Sequence, residues 1–308
     1  MRLVTQREFG GPEVLRVIEA ERPSPIPTEI LVRVHAAGVN PVDWKVRAAE
    51  GFLGEPPFTV GWDVSGVVEE VGFGSSAFQV GDEVFGMPWF PRQAAAYADY
   101  VTAPSRQFVR KPASMSHAEA AALPLAGLTA WQGLVDIAKI QPGQRVLVDA
   151  AAGGVGHLAV QIAKARGAYV LGTASAGKHD FLRSIGVDEP IDYTDENATV
   201  SDLDVVYGLV GEKSDLRWLP SIKRGGLIVP VPGGASASVA AKAEELGVRA
   251  VPMLVEPDQV GLLGLVDLIE AGRLRVHVEQ TFPLEDVAKA HELGEGGRVT
   301  GKIVLTTV

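Results

Sequence analysis

The sequence predicts an α/β protein of two parts, a β-rich domain and a domain built on a doubly wound parallel sheet. Three observations predict it. Residues 120 to 256 alternate apolar strand-like runs with helical stretches, residues 1 to about 110 carry short strands broken by recurrent Gly and Pro, and a cluster of glycines sits between a strand pattern and a helix pattern at residues 150 to 168. Strand and helix in alternation form a parallel sheet covered on both faces. Short strands with closely spaced turn residues belong to sheets of tight connections.

The elements follow in order. EILVRVHAAGVN (29–40) alternates apolar and polar residues, and GVVEEVG (66–72) and GDEVFG (81–86) read as strands with tight connections. AAALPLAGLTAWQGLV (120–135) is apolar, but Pro124 and Gln132 interrupt it. It falls short of the ~20 apolar residues of a membrane span, so it is expected to be a helix near the domain junction. RVLVDA, AYVLGTAS, LDVVYGLV, GLIVPVP and RAVPMLV are the expected parallel strands, with KHDFLRSIG a helix among them. The tail reads helix (GLLGLVDLIEAG), strand (RVHVEQTF), helix (LEDVAKAHELGE) and strand (GKIVLTTV).

Composition fits a soluble enzyme. The 308 residues are 46% hydrophobic, ample for a core, and carry a formal net charge of −10. An acidic surface argues against nucleic acid and anionic membranes, which favour clustered Lys and Arg. The start, MRLVTQREFGGPEVL, lacks the apolar stretch of a signal peptide, so a cytoplasmic location is expected. Cysteine is absent altogether.

The glycine cluster carries the chemistry. RVLVDA (145–150) suits a buried strand; Gly153, Gly154 and Gly156 follow; then Val155, Leu158, Ala159, Ile162 and Ala163 fall on one helix face. A strand, a sharp turn and a helix N-terminus receive a dinucleotide pyrophosphate, because glycine lets the backbone approach and free N–H groups and the helix dipole favour negative charge. Ala151 stands where G-x-G-x-x-G has its first glycine. An NAD site usually ends the next strand with an acid for the ribose 2′-hydroxyl. Here it ends Thr173-Ala174-Ser175, with Lys178 beyond. A small residue, a hydroxyl and an ammonium suit a 2′-phosphate, so NADPH is the expected cofactor.

Several ordered motifs together extend this reading. AAGVNPVDWKVR (36–47), PFTVGWDVSGVVEEVG (57–72), GDEVFGM (81–87), AAYADYV (95–101), LPLAGLTAW (123–131), the AAAGGVG turn and FPLEDVAKAHELGEGGRVTGKIVL (282–305) span nearly the whole chain. With them the chain resembles the zinc-independent quinone oxidoreductase (ζ-crystallin-like) branch of the medium-chain dehydrogenase/reductase superfamily. The resemblance implies a GroES-like catalytic domain formed by residues 1–119 and 257–308, a Rossmann NADPH-binding domain at 120–256, a cleft between them, and a homodimer. It implies that Asn40, Asp43 and Lys45 lie near nicotinamide and substrate, with Lys45 donating to an enolate oxygen or relaying a proton. Trp62 and Trp89, in the loop GMPWFP, would line an apolar pocket. Thr129, Gly153, Gly154, Val155 and Gly156 would face the phosphates, and Ser175, Lys178 and Tyr193 the 2′-phosphate side. Val210 and Gly211 would contact the nicotinamide side, although Gly208 stands where the family commonly has an aspartate.

Zinc-dependent relatives supply a histidine and a glutamate where this chain reads Gly61-Trp62-Asp63, and their cysteines have no counterpart. The six histidines form no H-E-x-x-H pattern, so no metal is expected. None of Tyr97, Tyr100, Tyr169, Tyr193 and Tyr207 is followed four residues later by lysine, so a Tyr-x-x-x-Lys pair is missing too. Hydride delivery to a quinone or to the activated C=C of an enone or alkenal is then the expected reaction, the enolate being stabilised by hydrogen-bond donors. A non-catalytic NADPH-binding protein, redox-sensing or structural, and an enoyl-thioester reductase are the alternatives.

Overall fold

A computed structural model describes all 308 residues, which divide into two compact units. The first comprises residues 1–128, 256–270 and 276–308; the second comprises 129–255 and 271–275. The first change of unit falls within a helix, Pro124–Trp131, rather than at the expected 119/120. The fold class is the one the sequence predicts: a GroES-like β-rich unit and a Rossmann-like parallel-sheet unit.

The N-terminal part of the first unit contains β1 (Arg2–Thr5), β2 (Arg16–Glu19), β3 (Glu29–Val39), α1 (Pro41–Ala48), β4 (Asp63–Val71), β5 (Glu83–Gly86), β6 (Tyr100–Pro104), β7 (Phe108–Arg110), α2 (His117–Ala121) and α3 (Pro124–Trp131). β3 organises it. Its first half pairs with β6, its whole length with β4, and its last four residues with a strand from the chain's C-terminus. Ile30, Leu31, Val32, Val34, Ala36 and Ala37 are all buried, which is why so long a strand tolerates little polarity.

The second unit supplies β8 (Arg145–Val148), α4 (Gly156–Ala165), β9 (Tyr169–Ala174), α5 (His179–Ser184), β10 (Glu189–Asp192), β11 (Leu203–Gly208), α6 (Glu212–Trp218), β12 (Ile222–Pro230), α7 (Ala237–Leu246) and β13 (Arg249–Ala250). All strands are parallel, in the order β10-β9-β8-β11-β12-β13. The order reverses between β8 and β11, and ligands of such sheets bind at that point, beyond the C-terminal ends of the strands. One face packs Leu147, Leu171, Val206 and Ile228 against Trp218 and Val239 of α6 and α7. RAVPMLV forms a strand only at its first two residues, because Pro252 cannot donate to a ladder. α6, EKSDLRW, is too short and polar to show a clear apolar period, and in α7, ASVAAKAEEL, alanines blur it.

The chain then returns through α8 (Gln259–Glu270), β14 (Val278–Pro283), α9 (Val287–Glu295) and β15 (Lys302–Thr306). β15 pairs with β3, Ile303 opposite Val39 and Thr306 opposite Ala36, so both chain ends build the first unit.

The glycine turn joins β8 to α4. Residues 156 to 163 of α4 are buried, and a Cβ on Gly156 would lie 2.2 Å from the carbonyl oxygen of Ala150. A Cβ on Gly153 meets that same oxygen at 3.2 Å, a contact a small shift relieves. Gly156→Ala is therefore expected to destabilise the protein by about 1–3 kcal/mol and Gly153→Ala by clearly less. Urea unfolding of the two variants checks this, and equal losses would show that close helix–strand approach is not what Gly156 provides.

Candidate functional site

Two sets of polar residues occupy the regions singled out by the sequence, one in each unit.

In the first unit, α1 begins where β3 ends. Pro41 occupies the first helical position, and Asp43 Oδ2 accepts the backbone N–H of Asn40 at 2.6 Å, capping the helix entry. The Asn40 side chain also reaches partners beyond the helix. Its Nδ2 donates to Asp63 Oδ2 at 2.8 Å, and its Oδ1 accepts from Lys302 Nζ, which also donates to the carbonyl of Val39 at 2.9 Å. Lys302 Nζ lies 3.7 Å from Asp63 Oδ2, and Asp63 Oδ1 accepts the N–H of Leu125 at 2.7 Å. Register explains the meeting. Gly38 lies opposite Asp63 and Val39 opposite Ile303, so the next positions bring Asn40 beside Lys302. A Cβ on Gly38 would stand 2.7 Å from Asp63 Oδ2 and 2.4 Å from the Ala121 carbonyl, so only glycine leaves the carboxylate its place.

The cluster continues inward. Tyr97 donates to Asp43 Oδ2 at 2.8 Å and lies 3.3 Å from His291 Nε2; Arg47 Nη1 lies 3.0 Å from His291 Nδ1; Arg47 Nη2 donates to Glu295 at 2.6 Å. Arginine can only donate, so Nδ1 is the acceptor and neutral His291 carries its proton on Nε2, pointing at the Tyr97 oxygen. Asn40, Asp43, Asp63, Tyr97, Arg47, His291 and Lys302 are all buried. Burial raises Asp43 to about 7, and its Oδ1 has no partner. Burial likewise pushes His291 down to about 3, with the Arg47 charge adding to the effect, and lifts Tyr97 well above the ordinary phenol range. For Asp63 and Lys302, burial pushes toward the neutral forms while each partner's charge opposes it.

Other residues expected here lie elsewhere. Lys45 is exposed on α1, since two residues along a helix turn it about 200° from buried Asp43. Trp62 is fully buried, its indole N–H donating to the Arg92 carbonyl at 2.6 Å and its ring edge-on to Phe90 at 5.4 Å. Trp89, at φ 61°, is half-buried and donates to the Thr102 carbonyl at 2.9 Å. Both tryptophans therefore anchor the loop, and the exposed aromatic surface belongs to Phe52, half-exposed and 5.7 Å edge-on from Phe90. Nothing in the sequence pattern singled out Phe52, Tyr97, His291 or Lys302.

In the second unit, the switch point gathers most of the expected cofactor residues. Gly153, Gly154 and Val155 are partly exposed at the head of α4; the N–H groups of His157, Leu158 and Ala159 already bond the Gly153 and Val155 carbonyls, so the donors without a backbone acceptor are those of Gly154, Val155 and Gly156. Ser175 follows β9 and Lys178 stands one turn on; Tyr193, half-exposed, follows β10 with its N–H bonded to the Ala174 carbonyl, so all three lie at neighbouring strand ends. Val210 and Gly211 follow β11, Val210 exposed and Gly211 at φ 120°. Thr129 is buried, and its carbonyl accepts the Tyr207 hydroxyl at 2.7 Å. Asp149, at the end of β8, accepts from Thr173 and Ser214 hydroxyls at 2.5 Å each and ties β8, β9 and α6 together.

The pH dependence of stability follows from the buried groups. Asp43, raised to about 7, stabilises the fold fully below the unfolded carboxylate range near 4 and loses that contribution as pH rises to 7; Asp215, raised to about 6 by burial, acts in the same direction. His291, lowered to about 3, contributes fully above about 6.5 and loses its contribution as pH falls. The slopes oppose one another between pH 4 and 6.5. Asp43→Asn removes one side, so its Tm is expected to fall more steeply on acidification across that range than the unaltered protein's. Thermal scans at half-unit pH steps check it, and parallel profiles count against the assignment.

Comparison with known proteins places this arrangement. Residues 26–113 match the alcohol dehydrogenase GroES-like domain family and residues 185–305 the zinc-binding dehydrogenase family. A chloroplastic quinone-oxidoreductase homolog of Spinacia oleracea is 32% identical over 96% of this chain and 95% of its own length. Among solved structures, the quinone oxidoreductase from Coxiella burnetii superposes with TM-score 0.95 at 35% identity, covering 100% of this chain and 99% of that one. The Escherichia coli quinone oxidoreductase complexed with NADPH gives 0.87 at 29% identity, covering 99% and 100%. Zinc does not fit the residues present, for there is no cysteine, Asp63 is engaged by Asn40, Leu125 and Lys302, and no three His, Asp or Glu side chains converge. With both units, the turn at the switch point and full-length similarity in agreement, the chain belongs to the quinone oxidoreductase family of the medium-chain dehydrogenase/reductase superfamily.

Proposed function

We propose that this protein is an NADPH-dependent reductase that transfers hydride to a quinone or to the activated C=C of an enone or alkenal, without a metal. The observation that carries the reading is the end of β9: the strand ends in no acid of its own, the Asp192 carboxylate opposite Ala174 is taken up by Thr194 and the Ala176 N–H, and Ser175, Lys178 and Tyr193 occupy adjoining strand ends beside the glycine turn. A hydroxyl, an ammonium and a phenol suit a 2′-phosphate, which a carboxylate would repel. The N–H groups of Gly154, Val155 and Gly156, which have no backbone acceptor, would bind the pyrophosphate at the head of α4. When bound, the dinucleotide supplies hydride from its nicotinamide C4. The similarity to a protein solved with NADPH supports the same choice.

The residues of the first unit would act on the acceptor. Asn40 Nδ2 has two protons and one bond, to Asp63, which leaves an N–H for an oxygen on which charge develops. The exposed face of Phe52 is a platform on which a flat acceptor would stack. Asp43 accepts the Asn40 backbone N–H, Asp63 accepts from its side chain and Lys302 is committed to the Asn40 and Val39 oxygens, so these three fix Asn40 rather than meeting the acceptor. A homodimer belongs to the same reading and is checked by sedimentation.

NADPH is expected to exceed NADH in kcat/KM, and Lys178→Ala to weaken NADPH binding by about 1–3 kcal/mol while leaving NADH binding unchanged. Equal efficiency with the two cofactors rejects the 2′-phosphate assignment.

Asn40→Ala is expected to lower kcat with little change in NADPH affinity, because only the transition state gains the donor. Deuteride from labelled NADPH should appear on the β-carbon of an enone product. NADPH oxidation screened against quinones, enones, alkenals, enoyl thioesters and simple alcohols tests the whole reading. Binding without turnover would favour a non-catalytic NADPH-binding protein, and efficient alcohol oxidation would refute the mechanism.

A further inference from the structure

The family match names a zinc-binding dehydrogenase, yet the segment that supplies metal ligands in zinc-dependent relatives ends here in Asp63, and the charge facing Asp63 is an ammonium. We infer that Lys302 is the resident cation of this site and a positioning residue, which fixes the Asn40 carboxamide with its oxygen toward Lys302 and its NH2 toward Asp63. The inference rests on the reading of Asn40 as the donor to the acceptor, and goes beyond it in naming what orients that donor.

The chemistry allows one orientation. Lys302 can only donate and an ionised Asp63 can only accept, so a flipped Asn40 would set NH2 against ammonium and oxygen against carboxylate. Asn40 Oδ1 is thus committed to Lys302 and one Nδ2 proton to Asp63, which leaves the second Nδ2 proton in a fixed direction. Lys302 is itself held: its side chain is 3% exposed and its ammonium also bonds the Val39 carbonyl at the end of β3. Around the ammonium, Asp63 comes from β4, Asn40 and Asp43 from the start of α1, and Tyr97 and His291 lie beyond Asp43. A dry interior magnifies the cost of losing the cation, because Asp63 would remain buried without it.

The sequence makes a direct test possible. Asparagine occurs only at Asn40 and Asn197, the first buried and the second exposed. Protein made with [15N]asparagine should therefore show two side-chain NH2 pairs, that of Asn40 slow to exchange with solvent. The variants are Lys302→Met and, as a folded reference that removes both charges together, Lys302→Met with Asp63→Asn; Asp63→Asn alone identifies the extra pair. We expect Lys302→Met to lower Tm and the double variant to recover most of that loss. In both, the Asn40 pair should shift and exchange faster, and in the double variant kcat with 1,4-naphthoquinone or 3-penten-2-one should remain down about tenfold or more at unchanged NADPH Kd. A double variant with an unmoved Asn40 pair overturns the inference, as does recovery of the original kcat, since Lys302 would then only balance a charge. If the unaltered protein reduces neither acceptor, the proposed reaction fails on its own, and the Asn40 pair alone decides whether Lys302 positions it.

Discussion

A buried carboxylate facing a buried ammonium constrains the first unit more than any other contact. Removing either ion from water costs several kcal/mol even after relaxation, and the loss is offset only if partners are close and lone pairs are filled. Asp63 meets that condition with Asn40, the Leu125 N–H and Lys302, and Lys302 meets it with Asn40 and the Val39 carbonyl. These partners come from β3, α1, β4, the start of α3 and β15, so each segment must hold its register for the pair to survive. Ordinary strand pairing sets the register, and the penalty of an unpaired charge makes it intolerant of slippage. The final strand of the chain is therefore bound into the first unit by more than its ladder to β3.

The two clusters differ in how far their polar groups are satisfied. In the first unit nearly every donor and acceptor has a partner inside the protein, down to the tautomer of His291, which Arg47 dictates. Such a network holds shape and exposes little. In the second unit the N–H groups of Gly154, Val155 and Gly156, where the glycine turn enters α4, have no backbone acceptor, Val210 and Tyr193 are more than half exposed, and Gly211 is open. Unfilled donors at a helix N-terminus favour a ligand that carries negative charge. Rigid polar positioning in one unit and anion reception in the other are separate tasks, met by opposite treatments of the same backbone and side-chain chemistry.

What could be read from the sequence was local. The strand, glycine turn and helix at 145–165 declare themselves within about twenty residues, and the parallel-sheet alternation of 120–256 is a succession of such local runs. Pairings across the chain were not legible. Lys302 and Asn40 are 262 residues apart, and the GKIVL pattern alone does not fix which way its lysine faces. The resemblance carried by NPVDWK places Lys45 near the substrate, yet helical geometry turns it to solvent while the fold delivers a lysine from the other end. For Trp62 the sequence leaves pocket and core equally open, and Phe90 and the Arg92 carbonyl closing over it decide for core. α1 was hidden by its eight-residue length and by the strands around it.

Position 208 shows how a missing residue in a motif can mislead. Glycine stands there instead of the family's usual aspartate, which by sequence alone removes an acid from the end of β11. The structure has an acid there all the same. A Cβ on Gly208 would lie 2.1 Å from Asp215 Oδ1, so the Asp215 carboxyl, arriving from the first turn of α6, fills the volume that a side chain at 208 would need. The two residues fit each other: an acid on the helix at that depth demands glycine on the strand, and glycine on the strand leaves the space. Asp215 is buried with neither oxygen bonded, and burial together with Asp149 and Glu212 raises it to about 6. It therefore differs from an acid carried on β11 in direction of approach rather than in presence. Motif residues are thus better compared by the volume their functional atoms occupy than by alignment column, wherever a strand end and a helix start converge on one point.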